Sequence, residues 1–453
     1  MTAAAANPSY EFPLYSIMST TTEPTKLGVH IVPRLPPEIW LLIIRFATSA
    51  PIVSPFEFAY HYEPFQSRNH NITTPLFADV LRDKCAIMSL CKQWYALVGD
   101  ILYEDIRIGR HIASLYSVLI GPTPGGGEPG TSTTRITARH RVRRAVLPYA
   151  HNEKPSYHTQ SVLAFLALLP HLEVLVRPPL IIPAPPPQQQ CLPIPIPIMT
   201  KPIAAPALPT LRRLEWAFEK EGGRWHTSAI DFLYDILVAA PSLHELVLTG
   251  PMPPARYRNL HLRALRTLRL HDGAGQSWLI ADHAIYWELP ALENVVVEGL
   301  GCAGRIWKFW EKVGEQVRML ELELGGGRGG MSIGDVSKIV AVCPALEELN
   351  LQVGVEEYVN RTPVHVDDVI WSCTHNTLQR LGICIKDLEC SVDTWMKIVG
   401  KFVEGCPALS EVLLYVSDVE VASQNPRFHA LREKLLSSGR QLFLHSVNRE
   451  RYL

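Results

Sequence analysis

The chain has 453 residues, 47% of them hydrophobic, a formal net charge of -1 and 9 cysteines. That length exceeds one ordinary core and suits an elongated array with a small extra domain, while the near-neutral charge excludes general binding of nucleic acid or anionic membrane by the whole surface. The cysteines are odd in number, scattered and without a C-x-x-C pair, which points to a reducing compartment rather than a disulfide framework or a zinc site.

Residues 1–30 are rich in Ala, Thr, Ser and Pro and carry few spaced apolar anchors, so disorder is expected there. No basic segment followed by an apolar one opens the chain, and no run of about 18 uninterrupted apolar residues occurs along it. The expectation is an intracellular protein, cytoplasmic or nuclear, with no membrane or nucleic-acid partner. The sequons at Asn71 and Asn360 are then accidental.

The first ordered element is predicted over 35–47. Pro36 and Pro37 suit the first turn of a helix, Glu38 complements the positive end of its dipole, and Ile39, Leu42, Ile43, Phe46 and Ala47 form one apolar face. Ile87, Leu90, Cys91, Trp94, Leu97 and Val98 mark a second helix, followed by a short apolar segment over 101–106. The arrangement resembles the F-box. Leu35, Pro36, Glu38 and Ile39 match the opening of that family's pattern, and Leu90, Cys91, Lys92, Gln93 and Trp94 match its second signature. Residues 48–83 interrupt the motif where the family has only a few residues; loop closure becomes costlier only slowly with length, so a surface insertion is tolerable. The resemblance implies an all-α domain over 31–108, carrying the 48–83 insertion. Its Leu35, Pro36, Ile39, Ile43, Leu90 and Trp94 would bind the Skp-type adaptor of a cullin–RING ubiquitin ligase.

Residues 109–160 open with a Gly- and Pro-rich loop at 121–130 and continue into the basic run Arg135, Arg139, His140, Arg141, Arg143 and Arg144. The run reads either as an import or acidic-partner patch or as the solvated outside of a first strand over 142–147.

From 161 to 453 one spacing, L-x-x-L-x-L, organises the chain. It is met by Leu346/Leu349/Leu351 and by copies starting at Leu211, Leu243, Leu265, Leu292, Val317, Leu378 and Leu409, with a degenerate one at Leu172. The copies start about 22 to 39 residues apart, the period of a solenoid. Five follow a proline (Pro209, Pro241, Pro290, Pro344, Pro407), which can sit just ahead of a strand without losing a ladder bond. Helix-period segments separate the strands: Ile230, Leu233, Tyr234, Leu237 and Val238 make one stripe, and others cover 306–313, 333–342, 366–371 and 392–403. The predicted class is therefore α/β, with a parallel sheet and helices packed on one side, interrupted by a proline-rich insertion at 178–209. This part is similar to leucine-rich repeat proteins of an irregular kind. The Asn or Cys that many such repeats carry after the strand is not regular; Gly354 occupies the position in the 346 copy.

The resemblance implies that partners dock on the inner sheet face, whose candidates are Arg269, Glu298, Glu321, Glu323, Glu348, Asn350 and Arg380. The middle copies lean acidic, so the expected protein target presents Lys or Arg. F-box and repeats together imply a non-catalytic substrate receptor that needs no cofactor; an interaction scaffold without a ligase is the alternative. No catalytic constellation competes. Gly330, Ser332 and Gly334 satisfy G-x-S-x-G, but the flexible 325–330 stretch separates Ser332 from the preceding strand, and Ser332 with Asp335 reads better as a helix cap. The same glycines lack the G-K-[ST] ending of a phosphate loop, and His244, His271 and His283 have no second ligand at metal spacing.

Overall fold

A computed structural model describes residues 35–48, 82–90, 92–108, 115–116, 118–119, 138–147, 159–177, 207–218, 220–221, 224–225, 227–250, 257–271, 282–298, 303–324, 333–353, 374–385, 396, 399–416 and 419–446. The expectations for 1–30, the loop at 121–130, Ser332 and the helix over 366–371 lie outside the described residues, as does most of the 48–83 and 178–209 insertions.

Twelve strands form one parallel sheet whose spatial order follows the chain. They are β1 (Asp105–Arg107), β2 (Arg144–Val146), β3 (Val174–Arg177), β4 (Arg213–Ala217), β5 (Glu245–Thr249), β6 (Thr267–His271), β7 (Asn294–Glu298), β8 (Met319–Leu324), β9 (Glu348–Val353), β10 (Arg380–Ile385), β11 (Glu411–Val416) and β12 (Gln441–Ser446). The middle residue of each copy stacks in register on its neighbours, giving one buried ladder through Leu175, Leu214, Leu246, Leu268, Val295, Leu320, Leu349, Leu381, Val412 and Leu442. An array in which each unit lends its apolar face to the next is what one unit's short strand cannot achieve alone.

Helices cover that ladder. Those over Thr227–Ala239, Ala303–Val313, Ile333–Ala341 and Pro426–Ser437 send Leu233, Phe309, Trp310, Val340 and Leu431 into the same core as the strand leucines. The segments predicted at 230–238, 306–313 and 333–342 are thus helical as read, and 399–405 is helical within the predicted 392–403. A separate parallel pair, Leu260–His261 with Trp287–Glu288, belongs to the two copies that carried no helix signal.

The turn leading into each strand repeats. Pro209, Pro241, Pro290, Pro344 and Pro407 all lie in it, and the first leucine donates its N–H to the carbonyl three residues back, as Leu243 does to Ala240 (3.2 Å) and Leu346 to Cys343 (3.0 Å). In the 378 copy a side chain takes over. Leu378 donates to His375 Nδ1 (3.2 Å), and His375 Nε2 donates to Cys343 O (2.8 Å), so the buried ring joins two rungs as the neutral tautomer with its proton on Nε2. His375→Ala strands a buried N–H and a buried carbonyl. It is expected to lower stability by about 2 kcal/mol in urea titration; a change below about 0.5 kcal/mol would remove the ring from the turn.

Two findings depart from the sequence reading. The sheet begins at Asp105–Arg107, inside the stretch expected to be helical, and not at 142–147; three residues gave too little periodicity to be seen as a strand. The basic run is not simply solvated either. Arg144 is buried and pairs with Asp105 (2.7 Å), and Arg143 makes a two-pronged bond to Glu173.

Candidate docking surfaces

The first surface belongs to the N-terminal helices. α1 (Pro37–Thr48) starts where Pro36 O accepts from Ile39 N (3.0 Å) and Trp40 N (3.2 Å), with Glu38 in its first turn. It packs on α2 (Lys92–Leu102) through a small core of Ile44, Val98 and Ile101, with Leu41, Ile87, Met88 and Trp94 half-buried around it and the Trp40 and Trp94 rings 5.1 Å apart. This uses one side of α1 only. Ile39, Leu42 and Ile43, spaced i, i+3, i+4, keep 40%, 37% and 42% of their surface in solvent, and Leu90 and Tyr95 keep 69% and 63%. Of the residues singled out from the sequence, Pro36, Ile39, Ile43 and Leu90 are exposed, Leu35 is half-buried, and Trp94 turns into the helical core. The stripe predicted on α1 is therefore real, but its described members face outward, while Trp40, Leu41 and Ile44 face in.

Polar groups tie α1 to the turn before the first strand and the 82–90 segment to α2. Arg45 pairs with Glu104, and Lys84 Nζ donates to Ile101 O (3.4 Å). Burial holds the Lys84 ammonium below its ordinary value, with the Asp105 and Glu104 carboxylates acting against the shift.

The second surface is the sheet face opposite the helices. Register places Glu245, Asn294, Glu348, Arg380 and Glu411 in one row and Arg269, Glu321, Asn350 and Gly382 in the next, with Glu323, Gln352, Cys384 and Tyr415 in a third. All seven predicted residues are on this face, but it is not the solvated acidic strip that alternation suggests. Arg269, Glu298, Glu321, Glu348 and Asn350 are buried. Their charges are largely spent on each other: Arg213 bridges Glu215 and Glu245 (2.8 Å each), Arg269 reaches Glu245 (3.0 Å), His271 Nδ1 meets Glu298 (2.6 Å), and Glu348 holds both Arg380 (3.0 Å) and Asn350 Nδ2 (2.8 Å). The Tyr415 hydroxyl is pushed well above its ordinary value by burial and then by Glu348 and Glu321, with Arg380 opposing. Sequence alternation finds the face but not its burial, because pairing across strands 24 to 32 residues apart is invisible in a local window.

Among the described residues no three of His, Cys, Asp and Glu converge as a metal site, and no helix is long and apolar enough to cross a membrane. No protein-family model matches the chain, and no curated protein matches it.

Proposed function

We propose that this chain is the substrate-recognition subunit of an SCF-type cullin–RING ubiquitin ligase, in which the N-terminal helices dock as an F-box on the Skp-type adaptor and the leucine-rich repeats hold the target. One observation carries the reading: Ile39, Leu42, Ile43 and Leu90 remain exposed beside the small core of Ile44, Val98 and Ile101, on the elements that bear the two F-box-like signatures. Ile39, Leu42 and Ile43 make one exposed apolar stripe along α1, which suits an interaction site. The mechanism is proximity. The receptor raises the effective concentration of a bound target near the ubiquitin-charged enzyme and supplies no nucleophile of its own.

A pure interaction scaffold is the second reading, favoured by the 48–83 insertion that separates the two F-box-like signatures in the sequence. Binding of the full chain to purified Skp-type adaptor separates the two. Ile39→Ala/Ile43→Ala is expected to weaken binding about thirtyfold or more while leaving the circular dichroism spectrum unchanged, because both side chains face solvent. A folded wild-type chain that does not bind the adaptor would leave the scaffold reading.

A further inference from the structure

The sheet ends differently on its two sides. β1 is three residues long and carries Asp105 and Arg107 at its ends, the short, charged form that discourages another strand from adding. β12, at the other side, is six residues long and contains no Asp, Glu, Lys, Arg, Pro or Gly. The cation just before it, Arg440, is turned back into the molecule, where its guanidinium donates to Leu409 O (2.9 Å) and Cys406 O (3.4 Å). Nothing in the strand itself guards this edge.

The backbone of β12 is half used. Gln441 pairs in parallel with Glu411 and donates its N–H to Ser410 O (2.8 Å), so alternation turns the backbone groups of Gln441, Phe443 and His445 toward β11 and those of Leu442 and Leu444 outward. Among the described residues no strand lies beyond them. The side chains alternate across the sheet: Leu442 and Leu444 lean on the core, while Phe443 stands on the open face with 39% of its surface in solvent. On the helices of the same unit, Val421 and Leu436 are exposed as well. An uncharged, apolar strand with outward ladder groups is a template for another strand.

We propose that a second copy of this chain adds at this edge, β12 against β12 and antiparallel, about a two-fold axis at Phe443. The strand is complementary to itself. Leu442 and Leu444 flank Phe443 symmetrically, so this register sets Phe443 on the partner's Phe443, Leu442 on the partner's Leu444 and Gln441 on the partner's His445. Apolar groups then meet on both faces of the sheet, no like charges oppose, and the outward N–H and C=O of Leu442 meet those of the partner's Leu444. Centring the axis on Leu444 instead would set Phe443 against the partner's His445 and Leu442 against the partner's Ser446, losing apolar contact on both faces. The contact is independent of the ligase reading, since it uses neither the N-terminal helices nor a target.

Sedimentation equilibrium of the full chain over a range of concentrations reads the association. The wild type should be dimeric at about 100 μM, and hydrogen exchange at the Leu442 and Leu444 amides should slow as the concentration rises. Phe443→Lys and Phe443→Glu should each leave the circular dichroism spectrum unchanged, because the side chain lies on the surface, and weaken dimerisation about tenfold or more. Since residue 443 faces its own copy, an equal mixture of the Phe443→Lys and Phe443→Glu chains should associate at a concentration where neither does alone. A folded wild type that stays monomeric, a dimer untouched by Phe443→Lys, or a mixture that fails to associate would overturn the proposal. Assemblies that grow beyond two copies would overturn it too, because a two-fold contact closes on itself.

Discussion

Gly250→Ala is expected to destabilise the chain by about 4 kcal/mol, the largest effect of any single methyl added to a described glycine. Gly250 closes the strand Glu245–Thr249 with φ +81°, in the left-handed region where an L side chain is strained. Its N–H donates to His271 O (2.8 Å), while Phe218 N donates to Thr249 O (2.7 Å), so the turn is tied to the rungs on both sides. An added Cβ would overlap the carbonyl oxygen of Phe218, which is backbone and cannot swing away as a side-chain tip would. Either the turn opens or the strands part. Because each rung leans only on its neighbours, the damage should stay local: hydrogen exchange should quicken in Arg213–Ala217 and Thr267–His271 but not in Glu411–Val416. Gly400→Ala is the control of opposite sign. Gly400 lies in a helical stretch with open space around the added methyl, so alanine should stabilise by about 0.5–1 kcal/mol. Equal effects at the two glycines would refute the argument from position.

The contrast marks what a sequence can disclose. The repeats were legible because Leu346, Leu349 and Leu351 sit at a spacing that only a one-sided strand explains, and because the same spacing returns after each helix-period segment. Leu442 and Leu444 continue the ladder at the C-terminal edge, yet no turn proline precedes them, and that last strand was not read. Gly250 gives no local sign of its close approach to Phe218, which depends on how two rungs stack. The N-terminal stripe was legible as a spacing, but which side of α1 faces solvent is decided by Trp94, Val98 and Ile101, about fifty residues on. The edge where the strands begin was missed for a related reason: Arg212, His244 and Arg266 lie 32 and 22 residues apart, and only the backbone bonds between rungs make them neighbours.

Gly382→Ala probes the buried open face, with an expected loss of about 3 kcal/mol. Gly382 lies between Asn350 and Leu413 in the sheet register, and the Asn350 side chain fills the space a Cβ would take, with the Tyr415 ring on the other flank. Asn350 cannot simply move aside. Its Nδ2 is a donor to Glu348, a buried carboxylate whose charge is otherwise balanced by Arg380, so displacing the amide leaves that charge less well solvated. Removing the amide as well should therefore help. Asn350→Ala alone is expected to cost about 1.5 kcal/mol for the bond to Glu348, and the double variant Asn350→Ala/Gly382→Ala should be more stable than Gly382→Ala alone, since the new methyl then enters the vacated space. A double-mutant cycle by urea denaturation reads this coupling directly. Additivity within about 0.5 kcal/mol would mean that the two residues do not compete for one volume, and that the burial of the acidic face has another cause. Coupling of the expected sign would show that Glu348 is held by internal partners, Asn350 and Arg380, so that its charge is spent within the sheet face.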